Sequence, residues 1–269
     1  MPELVDSHCH IQSIGASKGE RITRELWAKT ELTADQAVKD AAAAGVTRML
    51  CVGCDLADSR LAIDFVKDRP ACWATIGIHP HEAKPAIDEG QLTPFADLVR
   101  QPKVVAVGEC GLDYYYKHSP KAQQQTVLKF QIELALEAGL PLIFHVRDAF
   151  DDFWPIFDSY RGIRGVLHSF TDTAENLAKA LDRGLHIGVN GIATFAKNPM
   201  QVEVYRTIPL EKLLLETDAP FLTPTPYRGR INEPKHTGTI GKFLAELRSE
   251  DYAHLADTTT HSARQLFGI

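Results

Sequence analysis

An α/β fold of the (β/α)8 type, the TIM barrel, is predicted by three observations. Eight short apolar runs recur along the 269 residues. They are near-continuously apolar rather than alternating, which suits strands buried on both faces of a parallel sheet. Helical stretches lie between them, and eight strand–helix units in about this length match the barrel count. A doubly wound open sheet is the alternative. It is weakened because no Gly-x-Gly-x-x-Gly follows the first run. No low-complexity linker divides the chain, so residues 1–269 are expected to form one domain.

In order, the runs are LVDSHCH (4–10), VTRMLCVG (46–53), CWATIGIH (72–79), KVVAVGEC (103–110), PLIFHVR (141–147), GVLHSF (165–170), LHIGVNG (185–191) and KLLLETD (212–218). The first ends in two histidines one residue apart. Side chains on a strand alternate faces, so His8 and His10 project together and Cys9 opposite, which is half a metal site. The pair proves little alone, because the chain has 11 histidines and a second such pair, His79-Pro80-His81. Between the runs, TADQAVKDAAAAG (33–45) is Ala-rich and stops at Gly45. QQQTVLKFQIELALEAG (123–139) has apolar positions at helical spacing and stops at Gly139. TAENLAKALDRG (173–184) opens on Thr173 as N-cap and stops at Gly184.

Composition narrows the function classes. At 44% hydrophobic and 24% charged, the chain resembles an ordinary globular protein with a sizeable core. No apolar run approaches the ~20 residues of a membrane span, so no membrane association is expected. The stretch MPELVDSHCH lacks the basic-then-apolar order of a secretory leader. With 5 cysteines, an odd number, a reducing cytoplasmic location is expected. Cys51-Val-Gly-Cys54 has no second CxxC and is read as core rather than as a metal or redox site. A net charge of −6 argues against a protein that coats many phosphates, but not against an enzyme gripping one phosphate end.

In a barrel of this kind chemistry sits at the C-terminal ends of the strands. The runs end there in His8 and His10, Glu109, His145, His168 and Asp218. All are nitrogen or oxygen ligands suited to Zn²⁺, Mn²⁺ or a similar ion. Each alone has a structural reading: a hydrogen-bonded histidine, a Glu109–lysine pair, a turn capped by Asp218. Six at matching ends of five strands would converge on one pocket mouth.

The chain resembles the TatD family of metal-dependent deoxyribonucleases, within the amidohydrolase superfamily. The motifs are VDSHCH, GIHPHEA (77–83), VGECGLDYYY (107–116), PLIFHVRDA (141–149), VLHSFT (166–171), GIATF (191–195), LLLETDAPFLTPTPYRGRINEP (213–234) and ARQLFG (263–268), in order along nearly the whole chain. The resemblance implies a (β/α)8 barrel with a two-metal phosphodiesterase site. His8, His10 and Asp218 would hold one divalent ion and His145 and His168 the other, with Glu109 bridging. The ions would be Zn, Mn, Mg, Co or Ni. An activated water would be the nucleophile, its pKa lowered to ~7, and Asp218 would orient it or accept its proton.

Other residues belong to a second tier. His81 would contact substrate or play a structural part. Arg147, two residues after His145, would grip a phosphate bidentately or pair with Asp148 or Asp172. PYRGRINEP places Arg228 and Asn232, with Arg230 and Glu233, on a loop after the last strand, suited to substrate. Tyr114, Tyr115 and Tyr116 would stack on a base or pack the rim. The chain departs from the family in Ile11-Gln12 and in the long segment 13–31, which would narrow substrate access or form a surface insertion. It also departs at Cys110, expected to face away from the metals, and at Ser262.

The leading expectation is a hydrolase trimming single-stranded DNA from the 3′ end, acting as a monomer. The alternative keeps the metals and changes the bond, to an ester or amide as in a D-aminoacyl-tRNA deacylase. A non-catalytic nucleic-acid or partner-binding barrel would not need the full ligand set.

Overall fold

The computed structural model describes residues 2–269. Every expected strand forms: β1 (Leu4–Cys9), β2 (Val46–Val52), β3 (Cys72–Ile76), β4 (Val104–Asp113), β5 (Leu142–Arg147), β6 (Gly165–Leu167), β7 (His186–Val189) and β8 (Leu213–Leu215). They pair in parallel in sequence order. Helices α1 (Arg21–Trp27) and α2 (Ala34–Ala43) follow β1; α3 (Leu56–Val66) follows β2; α4 (Ala83–Asp88) and α5 (Phe95–Leu98) follow β3. Then come α6 (Lys121–Ala138), α7 (Phe150–Asp158), α8 (Ala174–Asp182) and α9 (Pro199–Thr207), each after the next strand, with α10 (Thr237–Arg248) and α11 (Tyr252–Phe267) last. Thr33 and Thr173 cap α2 and α8 with their side chains, and Gly139 ends α6 in the left-handed region, as their sequences require.

The barrel closes just past β8 rather than along it. Cys9 bridges Ala219 in parallel, Asp218 N donates to His8 O at 2.8 Å, and His10 N donates to Ala219 O at 2.8 Å. Buried Asp6 reinforces the seam by accepting from Thr217 N at 2.9 Å and Thr217 Oγ1 at 2.6 Å. The same contacts that shut the sheet therefore seat His8, His10 and Asp218 beside one another.

Two apolar layers result from strand alternation. One lies between barrel and helices, where Phe144 packs on Phe153 and Phe157 of α7. The other joins Val5, Leu50, Val52, Val105, Ile143, Val166 and Leu214 with Ala263, Leu266 and Phe267 of α11. Ile143 and Val166 lie two residues before His145 and His168, so they share their inward face. The polar centre thus rests on an apolar plug.

Glu109 departs from the expected strand end. β4 runs on through Asp113, placing Glu109 inside the strand. Gly111 permits this: its φ is +150, and a Cβ there would lie 1.8 Å from His145 O on β5. His145 likewise sits inside β5, which continues to Arg147.

Asn232 also departs from expectation. It is buried, and its Nδ2 donates to Thr217 O and Phe221 O at 2.9 and 2.7 Å. Its Oδ1 accepts from Glu233 N and from His236 Nδ1, each at 2.9 Å. With every donor and acceptor committed, it shapes the loop and offers nothing to a ligand. A short, saturated network cost the side chain its freedom.

His236, stacked on Tyr227, carries a pH signature. Burial, aided by Lys235 and Arg230, lowers its pKa to about 4. A depressed folded pKa contributes stability that is present above the unfolded value and lost as pH falls through it. Lowering the pH from 7 to 5 is expected to cost about 2 kcal/mol from this group. Urea midpoints at the two pH values should show a smaller acid loss for His236→Phe than for the wild type.

Candidate metal centre

Glu109 presents one oxygen to each of two groups of nitrogens. Oε2 lies 3.3 Å from His8 Nε2. Oε1 lies 2.9 Å from His145 Nδ1, 3.6 Å from His79 Nε2 and 3.9 Å from His168 Nε2. Asp218 faces the same space: its Oδ1 is 3.3 Å from His10 Nε2, 3.7 Å from His8 Nε2 and 3.9 Å from His168 Nε2. Asp218 adopts a left-handed φ of 59, which turns its carboxylate back over the barrel mouth. All six residues anticipated as ligands therefore meet in one place.

The far nitrogens decide what the near ones can do. His10 Nδ1 is 2.9 Å from Val52 O, which can only accept, so Nδ1 carries a proton and Nε2 is the nitrogen left for the centre. His145 Nε2 is 3.0 Å from Asp113 Oδ2, leaving Nδ1 for the centre. His168 Nδ1 lies 2.9 Å from Glu216 Oε1, an ion-pair contact outside hydrogen-bond geometry, and its Nε2 faces the centre. An imidazole held by an oxygen acceptor on its outer nitrogen is the usual arrangement around a bound metal. His8 is fully buried with neither ring nitrogen hydrogen-bonded. Leaving a buried imidazole unpaired is costly, and a cation at Nε2 would satisfy it. The donor set fits a divalent metal.

Charge supports the same reading. Burial would raise the Glu109 carboxyl, but the imidazoles packed around it hold it well below the usual carboxylate range. Asp218 is likewise lowered against burial, chiefly by its hydrogen bond from His10. The carboxylates in turn raise His10 and His145 to about 9 and His168 to about 10, against the desolvation that opposes them. Cation binding would displace these protons.

His79 differs from the ligands. Its Nδ1 accepts from His81 N at 3.2 Å, so the proton sits on Nε2, the nitrogen that faces Glu109. Burial holds the ring well below the ordinary histidine range, hence neutral. It presents an N–H to the centre and no lone pair. Although His10, Cys54 and Asp58 cluster closely, that set is a brace rather than a second centre. Asp58 already accepts from Gln12 Nε2, Ser13 Oγ and Cys54 N at 3.3, 3.2 and 3.1 Å. Segment 13–31 joins the same brace: buried Trp27 donates from Nε1 to His10 O at 3.0 Å.

Asp113, Glu216 and His79 are the polar residues to which the sequence assigned no specific role. Strand parity is the signal that could have found two of them, since Asp113 lies four residues after Glu109 and Glu216 two before Asp218. Glu216 also accepts from Ser169 N at 2.7 Å, and it fits only because residue 188 is glycine. A Cβ there would lie 2.3 Å from Glu216 Oε2. Glu216→Gln is expected to weaken metal affinity by about 10–100-fold while leaving the fold intact. Metal titration alongside circular dichroism checks this.

The remaining anticipated residues lie on the rim. His81 Nε2 is 3.0 Å from Asp113 Oδ2, and its ring centroid is 6.3 Å from that of His145. Arg147 packs its guanidinium on Tyr115 and Tyr116 rather than pairing with Asp148 or Asp172. Tyr114 is buried, with its hydroxyl donating to Asp152 at 2.7 Å. Arg228 lies over Phe195 at 3.8 Å and donates to Thr223 O. Cys110 is buried, with its thiol on Ile143 O, away from the centre. Ser262 is buried too and bonds Glu211 O. No helix among the described residues is long and apolar enough to cross a membrane.

Comparison with known proteins accords with this geometry. A family model described as TatD related DNase matches residues 5–268. The chain is 34% identical over 268 residues to the uncharacterized metal-dependent hydrolase YabD of Bacillus subtilis (strain 168), covering 99% of each. It is 40% identical over 255 residues to the 3′-5′ ssDNA/RNA exonuclease TatD of Citrobacter koseri, covering 88% of this chain and 96% of the relative. Among solved structures, YJJV, the TatD homolog of Escherichia coli K12, superposes with a TM-score of 0.85 at 26% identity, covering 99% and 98% of the two chains.

Proposed function

The chain belongs to the TatD-related DNase family of metal-dependent hydrolases, and from that membership we propose that it is a 3′–5′ exonuclease acting on single-stranded nucleic acid. One observation carries the reading: six ligand side chains meet at the barrel mouth with the outer nitrogens of His10, His145 and His168 facing oxygen acceptors. The direction and substrate class rest on relatives that are 36% to 40% identical.

In this proposal His8, His10 and Asp218 would hold one divalent ion and His145 and His168 another, with Glu109 facing both sets. Divalent cations held there would supply Lewis acidity toward a phosphoryl oxygen and acidify an attacking water. Asp218, kept ionised by its histidine neighbours, would accept a proton from an attacking water. His79, keeping its proton, donates a hydrogen bond from Nε2 to a phosphoryl oxygen as negative charge develops there. His81 stands on the approach to the centre. Arg147 and Arg228, both exposed, take phosphates of the strand.

The test starts by stripping the protein with chelator and adding back Mg²⁺, Mn²⁺ or Zn²⁺ in turn. The substrates are 5′-labelled single-stranded DNA and RNA. A metal-dependent ladder that shortens from the 3′ end supports the reading. Intact oligonucleotides under every metal, with metal still bound, would move the assignment to an ester or amide bond. His79→Ala separates donor from ligand: it is expected to keep the wild-type metal content and lose about 10²-fold in turnover. Loss of metal, read by elemental analysis, would make His79 a ligand instead.

A further inference from the structure

Beside the metal centre, around Arg147, stands an aromatic ledge whose rings the chemistry above does not use. Tyr115 and Tyr116 are large side chains left 55% and 51% exposed. The guanidinium of Arg147 lies 4.1 Å from the ring centroid of Tyr115 and 4.8 Å from that of Tyr116. His118 stacks on Tyr116 with centroids 5.8 Å apart and planes 17° apart. Two half-exposed rings and a cation that meets no carboxylate among the described residues are thus held together.

The ledge is tied to the centre by one carboxylate. Asp113 Oδ2 receives His145 Nε2, while Oδ1 receives the backbone N–H of Tyr115 and Tyr116 at 3.0 and 2.9 Å. Asp113 also pairs in register with Arg147. The carboxylate that orients a metal-facing histidine therefore also sets the turn bearing both tyrosines. His81 fills the interval, its ring 5.5 Å from Tyr116 and 6.3 Å from His145.

Building on the exonuclease reading, we propose that Tyr115, Tyr116 and Arg147 form a nucleotide subsite that stacks an unpaired base and holds its phosphate. Aromatic rings accept the face of any base, and a guanidinium accepts the phosphate, so the subsite is tolerant of sequence. It disfavours pairing, because a base drawn onto the ledge must leave its own pair and stack, which costs more at a duplex end than in a single strand. Selection of single-stranded ends would follow from the ledge rather than from the metals.

The test compares two 5′-labelled oligonucleotides that differ only in whether the 3′-terminal nucleotide carries a base or is abasic. Wild-type enzyme is expected to favour the base-bearing end by roughly tenfold or more in kcat/KM. In Tyr115→Ser/Tyr116→Ser that preference should fall to near unity, and Tyr115→Phe/Tyr116→Phe should restore it. Persistence of the preference in the serine variant would overturn the proposal. If neither oligonucleotide is cut under any metal, the exonuclease reading fails by itself. The ledge is then judged by fluorescence anisotropy with metal-loaded Asp218→Asn protein and the same oligonucleotides. A base-dependent affinity lost with the serines sustains a nucleotide subsite, and equal affinities reject it.

Discussion

Asp218→Asn is expected to lower metal-dependent hydrolysis by about 10²–10⁴-fold, the range associated with losing a positioned acid–base group. The substitution preserves shape but removes the negative charge that three imidazoles surround. His10 Nε2, His8 Nε2 and His168 Nε2 lie 3.3, 3.7 and 3.9 Å from Asp218 Oδ1. An amide can neither accept the proton of an attacking water at neutral pH nor neutralise a cation beside it. The backbone contacts that close the barrel, Asp218 N to His8 O and Phe221 N to Asp218 O, do not involve the side chain. The variant should therefore fold, as read by circular dichroism, and fail in turnover at saturating substrate. Activity within a few-fold of wild type would remove Asp218 from the chemistry.

Glu109→Gln carries the second large effect, read as stability. A ligand that binds only the folded state stabilises it by about 4 kcal/mol at a thousand times its dissociation constant. In a chain of this size that amounts to roughly 10 °C in Tm. The wild-type protein should show such a rise when metal is added after chelation. Binding should release protons, because His10, His145 and His168 hold theirs to about 9, 9 and 10. Affinity should accordingly grow as pH rises, since fewer protons then compete. Glu109 faces both groups of nitrogens, one with each oxygen, so its loss weakens both at once. In Glu109→Gln most of the metal-induced shift is expected to vanish. Calorimetry in buffers of different ionisation enthalpy would check the proton release, and a full shift in the variant would contradict the bridging role.

How much of this was legible in advance differs by residue. VDSHCH was readable because strand parity is a local property, and two histidines at i and i+2 must share a face. Glu109, one of 35 acidic residues, gained meaning only from its place at the end of an apolar run and from the motif around it. Asp113 and Glu216 sit inside quoted motifs but passed as ordinary acids, because a brace is defined by what it touches. Asn232 misled for the opposite reason. A Pro- and Gly-punctuated loop suggested an exposed ligand, whereas the chain turned its amide inward to satisfy two carbonyls. Arg147 was expected to grip a phosphate or pair with an acid. It lies on two tyrosines instead, a contact between strand β5 and the turn after β4 that no local pattern encodes.

The sequence by itself determined the eight strands, their parallel order, and the end of the barrel at which six ligand-type side chains would gather. Periodicity, helix caps and apolar runs are short-range properties, and a right-handed strand–helix repeat leaves few ways to assemble them. Tertiary structure alone decided which nitrogen of each histidine faces the centre, that His79 offers a proton rather than a lone pair, and that one carboxylate serves both a metal-facing histidine and an aromatic ledge. Those outcomes depend on hydrogen-bond distances between residues far apart in the chain, such as Val52 with His10 and Glu216 with His168. A tautomer is set by the partner on its other nitrogen, and that partner exists only once the barrel has closed.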